Sequence, residues 1–348
     1  MRRTPAHAIY PSRSVAQPYS RLGESFLRFS LMVLVGCALG CSVGPQALDG
    51  SPLRAMQETE NAASLATAQA ARSRPETETV PFVDAHVHLN DESMQLEMMR
   101  RFGAKRAVVF WGRNSDNESI AAAVKRHPDL FIAFASISPE RTAYRKAWDV
   151  RDTTLLRALD ELLASGRFKG IGEISAAHFP SPGLSETDYD PMGPMMNGIL
   201  ALARKYRVPV MVHIELTRMR ELSSLLEKFH DVQVIWAHGG YTPLFIARRM
   251  LERHPNLYYE LSARTWPRHP RSPDYTILRD GKNVWPEWLE LIESKADRFI
   301  VGTDASHRSR ESEIMKCESV QTFLRQLSPI TRDRVARTNL LTLVDPTR

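Results

Sequence analysis

The sequence predicts an α/β protein whose one catalytic domain is a single (β/α)8 TIM barrel, and two observations carry that prediction. After Pro81, short runs rich in β-branched and aromatic residues alternate with longer segments of helical period, and eight such pairs fit into about 260 residues. The short runs are almost continuously apolar, as strands buried on both faces of a parallel sheet must be.

The expected strands are residues 82–88, 106–111, 131–136, 168–174, 208–214, 232–238, 257–261 and 299–304. Between them the helical period predicts helices over 92–102, 117–127, 152–165, 192–206, 218–229, 243–254 and 285–295, several closing on Lys, Arg or His and followed by Pro or Gly. Two more helices, 311–326 and 331–343, complete the outer ring. The competing architecture is an open doubly wound sheet, whose usual mark is a Gly-rich turn after the first strand; no such turn follows residue 88.

Two parts precede the barrel, which is assigned to residues 80–348. Residues 1–41 read as a signal segment, with a basic stretch to Arg28 followed by an apolar run from Phe29 to Cys41. That run is shorter than the roughly 20 residues a spanning helix needs. It resembles a bacterial lipoprotein signal, because Cys37 and Cys41 each follow a small residue, and either can be the lipidated one. An ordinary cleaved signal or an uncleaved anchor is the alternative. The expectation is an exported protein, membrane-anchored through lipid or periplasmic. Residues 42–79, rich in Ala, Thr, Ser, Gln and Glu, suit a flexible tether, with a short helix over 53–71 to which no function attaches.

Composition narrows the partners. The 348 residues are 43% hydrophobic and 25% charged, as in folded globular proteins. The net charge is +6, but residues 1–40 hold five arginines against Glu24 alone and so carry +4 of it. The remainder is nearly neutral, and no nucleic-acid partner is expected. Three cysteines, Cys37, Cys41 and Cys317, offer no disulfide framework. Oligomeric state is not legible.

The chemistry lies at strand ends. In Val83-Asp-Ala-His-Val-His88, alternation puts His86 and His88 on one face, the barrel interior, at the C-terminal end where active sites of this architecture sit. A lone His-x-His more often satisfies local hydrogen bonds than it binds a metal. Later apolar runs, however, also end on titratable groups: His213, His238 and Asp304. Such groups closing buried strands are costly unless paired or bound to a cation, and imidazole with carboxylate suits zinc. Asp84 faces inward below His86, where hydrogen bonding in the barrel floor explains it.

This order of ligand types, together with Phe82-Val-Asp-Ala-His-Val-His88, Trp236-Ala-His-Gly-Gly240 and Asp297-Arg-Phe-Ile-Val-Gly-Thr-Asp304, resembles the amidohydrolase superfamily over about 82–344, and within it the amidohydrolase-related hydrolases and decarboxylases. The resemblance implies that His86, His88, His213 and Asp304 meet a divalent cation, zinc or manganese, with His238 at the substrate or the metal-bound water. Gly172-Glu173-Ile174 resembles the TatD-like branch, in which such a glutamate helps to hold a second metal. One tightly held ion is expected, with Glu173 orienting a histidine; two ions, with Glu173 and His238 as added ligands, are feasible.

The expected reaction is hydrolysis of an amide, ester or lactone in a small molecule. Asp304 serves as general base and then acid, and His238 stabilises the developing charge. In the Arg-rich segment after the seventh strand, Arg264 is the candidate for binding a substrate anion; Trp111, Arg113, His178 and Phe179 occupy similar loops. Decarboxylation in the same cage, a TatD-like nuclease and a non-catalytic lipoprotein binding module are the competing readings.

Overall fold

The computed structural model describes residues 79–137, 148, 154–180 and 186–345. The proposed signal segment, both lipidation candidates, nearly all of the tether and the helix over 53–71 lie outside the described residues. No described helix is long and apolar enough to cross a membrane.

Eight parallel strands alternate with helices. They are β1 (Phe82–His88), α1 (Glu92–Phe102), β2 (Ala104–Phe110), α2 (Asn117–Arg126), β3 (Phe131–Ala135), α3 (Thr154–Ala164), β4 (Gly170–His178), α4 (Pro194–Tyr206), β5 (Val210–Ile214), α5 (Met219–Lys228), β6 (Val234–Trp236), α6 (Leu244–Arg253), β7 (Leu257–Glu260), α7 (Pro286–Ser294) and β8 (Phe299–Ile300). Each strand pairs in parallel with the next. The ring closes where β8 runs on beside β1: Ala85 donates to the Val301 carbonyl, His88 to that of Ala305, and Ala305 back to that of His86. A two-residue strand, Thr187–Asp188, folds back antiparallel onto the end of β4.

The helices follow from local chemistry. Asp91 caps α1 by accepting from the Met94 amide, and Gly103 ends it with φ of 78°. Asp116 and Ser119 form a reciprocal capping box at the start of α2. Apolar side chains then divide into two layers. Val83, Phe110, Phe134, Met211, Ile235 and Ile300 pack in one cluster with Leu340, Leu343 and Val344 of the last helix. Trp236, Tyr259, Phe299 and Phe323 belong to the larger layer between strands and helices. Burial of each such side chain is worth about 1.5–3 kcal/mol, which makes the wall rigid enough to hold groups at fixed spacing.

Departures from the sequence expectation concentrate at strand ends. β6 stops at Trp236, because His238, Gly239, Gly240 and Tyr241 all have φ between 50° and 56°, a left-handed turn that leaves the ladder. β8 keeps only two residues as regular strand, and Asp304 also sits at positive φ, 55°. After α8 (Arg310–Leu324), the helix expected over 331–343 is broken into α9 (Pro329–Asp333), a π turn over Arg334–Thr338 and α10 (Asn339–Val344). In this arrangement the Asn339 amide donates to the Ala296 and Phe299 carbonyls at the foot of β8.

Candidate active site

The strand ends converge at the C-terminal mouth of the barrel. His86 and His88 come from β1, Glu173 from β4, His213 from β5, His238 from just beyond β6 and Asp304 from beyond β8. His86 Nε2 is 3.6 Å from both Glu173 Oε2 and Asp304 Oδ1. His88 Nε2 is 3.3 Å from Glu173 Oε2 and 3.8 Å from Asp304 Oδ1. The other Glu173 oxygen, Oε1, is 3.0 Å from His213 Nδ1 and 3.6 Å from His238 Nε2. One carboxylate therefore faces two pairs of imidazoles, one pair per oxygen.

Outer partners fix how each ring is presented. His88 Nδ1 donates to the Trp111 carbonyl at 3.0 Å, and His238 Nδ1 to the Ser262 carbonyl at 3.0 Å. His86 Nδ1 faces Glu260 Oε2 at 3.3 Å. In the neutral ring each of these contacts leaves the lone pair on Nε2, aimed at Glu173. His213 is presented the other way round: Nε2 is 3.0 Å from Glu215 Oε1, so Nδ1 is turned inward.

The site tests well as a cation cage. His86 Nε2 is buried with no hydrogen-bond partner, although an unpaired polar atom in such a place is costly. It belongs to two donor groups whose atoms lie within 4.8 Å of one another, His86 with Glu173 and His238, and His86 with His88 and Asp304.

Electrostatics point the same way. Burial works against charge on His86, but the Glu173 and Glu260 carboxylates overcome it and raise its pKa well above the usual histidine range. Burial likewise opposes charge on His213, but hydrogen bonds to and the charges of Glu173 and Glu215 outweigh it and raise the pKa to about 9. Glu173 is held well below the carboxylate range against its own burial, by the charge of His86, the hydrogen bond from His213 and the nearness of His238. Asp304 is lowered against burial by His86, His238, Lys316 and His88. The cluster draws positive charge, and protons on the rings or a cation among them can supply it.

Around this centre lie residues that sequence reasoning missed. Glu260, fully buried at the end of β7, accepts from the His238 amide at 3.1 Å, the Ser262 amide at 2.6 Å and the Ser262 hydroxyl at 2.8 Å, besides facing His86. Its signal was present, since it too closes an apolar strand. Glu215 was equally legible, because alternation places it on the same face as His213. Lys316 of α8 donates to the Asp304 carbonyl at 2.6 Å and supports that strained backbone. In the turn after β6, a Cβ at Gly239 would lie 1.7 Å from the Tyr259 ring and one at Gly240 2.4 Å from the Ile214 carbonyl, so only glycine fits between His238 and Tyr241. Their rings stack at 5.1 Å and 10°.

One expectation is corrected. Arg264, predicted to face substrate, is 1% exposed; its guanidinium lies over the Trp288 ring at 5.1 Å and donates to the Thr242 carbonyl, in the layer between barrel and helices. The arginine of that segment that reaches the site is Arg271, which pairs with Glu215 at 2.8 Å. Glu173, read as either a ring-orienting carboxylate or a ligand, lies among all four histidines. Asp84 behaves as a floor residue, accepting from the Thr303 amide and hydroxyl and the His86 amide. Trp111 contributes its carbonyl, Arg113 is exposed, and the His178 ring is held between the Phe179 carbonyl and the Thr187 hydroxyl.

A family model described as Amidohydrolase matches residues 83–339. No curated protein matches the chain. Among solved structures, an uncharacterised TIM-barrel protein from Bordetella bronchiseptica aligns with a TM-score of 0.54 at 16% identity, covering 76% of this chain and 98% of that one. A 2,6-dihydroxybenzoate decarboxylase complexed with 2,6-dihydroxybenzoate gives 0.51 at 14% identity, covering 78% and 100%. A D-hydantoinase gives 0.49 at 12%, covering 75% and 70%. At these identities the likeness is one of fold.

The site wall has a pH signature of its own. His269, packed against Tyr241 and Tyr275, has its pKa lowered to about 3 by burial and by the charges of Arg271 and His238. The unfolded chain takes up this proton as pH falls through about 6.5, and the folded one does not until about 3. The stability it represents is thus full above 6.5 and drains away below. Between pH 7 and pH 5, urea denaturation of His269→Gln should lose about 1–2 kcal/mol less stability than wild type; parallel losses in the two proteins would rule this out.

Proposed function

The chain belongs to the amidohydrolase family, and from that premise we propose that it is a metal-dependent hydrolase acting on an amide, ester or lactone bond of a small molecule. The observation that carries the reading is the convergence of lone-pair nitrogens of His86, His88 and His238 on the Glu173 and Asp304 carboxylates, with the orphaned His86 Nε2 at the middle.

The donor set suits zinc or manganese. His86, His88 and Asp304 would hold one ion, and Glu173 with His213 and His238 could add donors for a second, so the reading extends to two ions per chain. When bound, a divalent cation there supplies Lewis-acid activation of water and of the scissile carbonyl. The chain's own residues move the protons. Asp304, its side chain 23% exposed to the mouth, takes one proton from the attacking water and returns it to the leaving nitrogen or oxygen. His238 has its Nδ1 proton committed to Ser262, so it donates to the carbonyl oxygen from Nε2 only as imidazolium; neutral, it serves as a ligand. The buried wall beneath keeps bulk water from competing with these interactions. Export and a lipid anchor at Cys37 or Cys41 remain part of the proposal, supported by the pattern of the first 41 residues.

Three outcomes are expected. Asp304→Asn should keep most of its metal by elemental analysis yet lose about 10²–10⁴-fold in kcat on whichever of a panel of acyl amides, esters and lactones the wild type turns over; full activity would falsify the role of Asp304, and CO2 release from carboxylic acids without water incorporation would replace hydrolysis by decarboxylation. Glu173→Gln should lower the metal content from two ions per chain to one or fewer, and a wild-type content that never exceeds one sinks the two-ion reading. In cells fed labelled palmitate, label should enter the full chain and disappear when Cys37 and Cys41 are both changed to Ser; unlabelled wild type excludes the anchor.

A further inference from the structure

The long segment between β7 and α7 carries the density of arginines that no role above absorbs, and one of them is locked into the site by more contacts than packing requires. Arg271 Nη2 donates to Glu215 Oε1 at 2.8 Å, Nη1 to Glu215 Oε2 at 3.3 Å, and Nη1 also to the Phe179 carbonyl at 3.0 Å. Its guanidinium lies 4.6 Å from the Tyr241 ring and 5.1 Å from the Tyr275 ring. Glu215 in turn has no idle oxygen: Oε1 also meets His213 Nε2 at 3.0 Å, and Oε2 accepts from the Phe179 amide at 3.0 Å. Its side chain is 1% exposed and that of Arg271 12%, so the pair is shielded from water and each partner depends on the other.

We propose that Arg271 is a positioning residue for His213, acting through Glu215, so that the segment after β7 sets how the β5 histidine presents its inward nitrogen. This rests on the reading that His213 holds a cation. A carboxylate fixed by a planar two-pronged donor can accept the Nε2 proton of His213 in one orientation only, and this aims Nδ1 at Glu173 Oε1, 3.0 Å away. Without the fork, Glu215 is a buried anion with one amide and one imidazole for partners. The carboxylate is then free to turn, and the ring it holds loses its fixed aim at Glu173 Oε1. Lysine offers the charge without the fork and does not replace arginine here.

The contacts also explain a topological feature. Arg271 leaves the end of β7 and reaches across to the ends of β4 and β5, so the segment spans the rim on the His213 side. Its conformation and the geometry of His213 are one linked arrangement.

The test uses the full chain loaded with zinc, comparing wild type, Arg271→Ala and Arg271→Lys. Metal release to excess chelator is followed with a zinc indicator, and thermal unfolding of the metal-free proteins serves as the control for fold. Both variants should release at least one zinc about 10–100-fold faster than wild type; Arg271→Ala should also melt lower without metal, whereas Arg271→Lys, which keeps a charge beside Glu215, should melt close to wild type and so isolates the positioning effect. Methylguanidinium added to Arg271→Ala should slow the release again, which a purely structural role would not produce. Should Arg271→Ala fail to fold, Arg271→Lys carries the same test. Unchanged release in the variants overturns the positioning role while leaving the hydrolase reading intact; a wild type that takes up no zinc or manganese overturns both.

Discussion

The molecule is organised around charge balance at the mouth of an apolar barrel. Glu173, Glu215, Glu260 and Asp304 are brought together where water is scarce, and bare carboxylates there cost far more than they do at a surface. Arg271 neutralises Glu215, while Lys316 is already paired with Glu313 at 3.2 Å. Glu173, Glu260 and Asp304 must then find their positive charge among His86, His88, His213 and His238, on protons or on a cation. The direction of the pKa shifts expresses this one requirement, since each histidine raised and each carboxylate lowered reports the same missing charge.

Backbone strain is the other cost, and it falls at the same places. His238, Tyr241 and Asp304 all adopt positive φ without being glycine, at about 1–3 kcal/mol each. Hydrogen bonds from outside the turns hold them: the His238 amide to Glu260 and the Asp304 carbonyl to Lys316. The strain has a geometric return. A strand that ran on straight would carry its terminal side chain past the mouth, whereas the left-handed turns after β6 and β8 swing His238 and Asp304 in toward Glu173.

This also explains what the sequence could and could not reveal. β1 and α1 lie exactly where periodicity put them, Phe82–His88 and Glu92–Phe102, because a buried strand and a capped helix write their burial into their own residues. The strand-terminal histidines and Asp304 were legible for the same reason: a polar group at the end of an apolar run stands out. Glu260 and Glu215 obeyed the same rule and could have been read. Arg271 could not, because its partner is 56 positions away and the path of the segment between β7 and α7 leaves no period in the sequence. Arg264 is nearer the strand end and therefore looked the better choice, yet its side chain turns outward onto Trp288. The turn geometry at His238 had a trace in the two following glycines, whereas Asp304 had none.

The three carboxylates without a lysine or arginine partner also bear on how the cage works. One divalent cation would leave a residual negative charge on these carboxylates, and two would leave a residual positive charge for an anionic group of a substrate. His238, with Nδ1 turned to the Ser262 carbonyl and Nε2 facing the site, would act as donor to the substrate in the first case and as ligand in the second. Because Arg271 acts on the His213 and His238 side of Glu173 through Glu215, the segment after β7 is linked both to metal retention and to which of the two roles His238 takes.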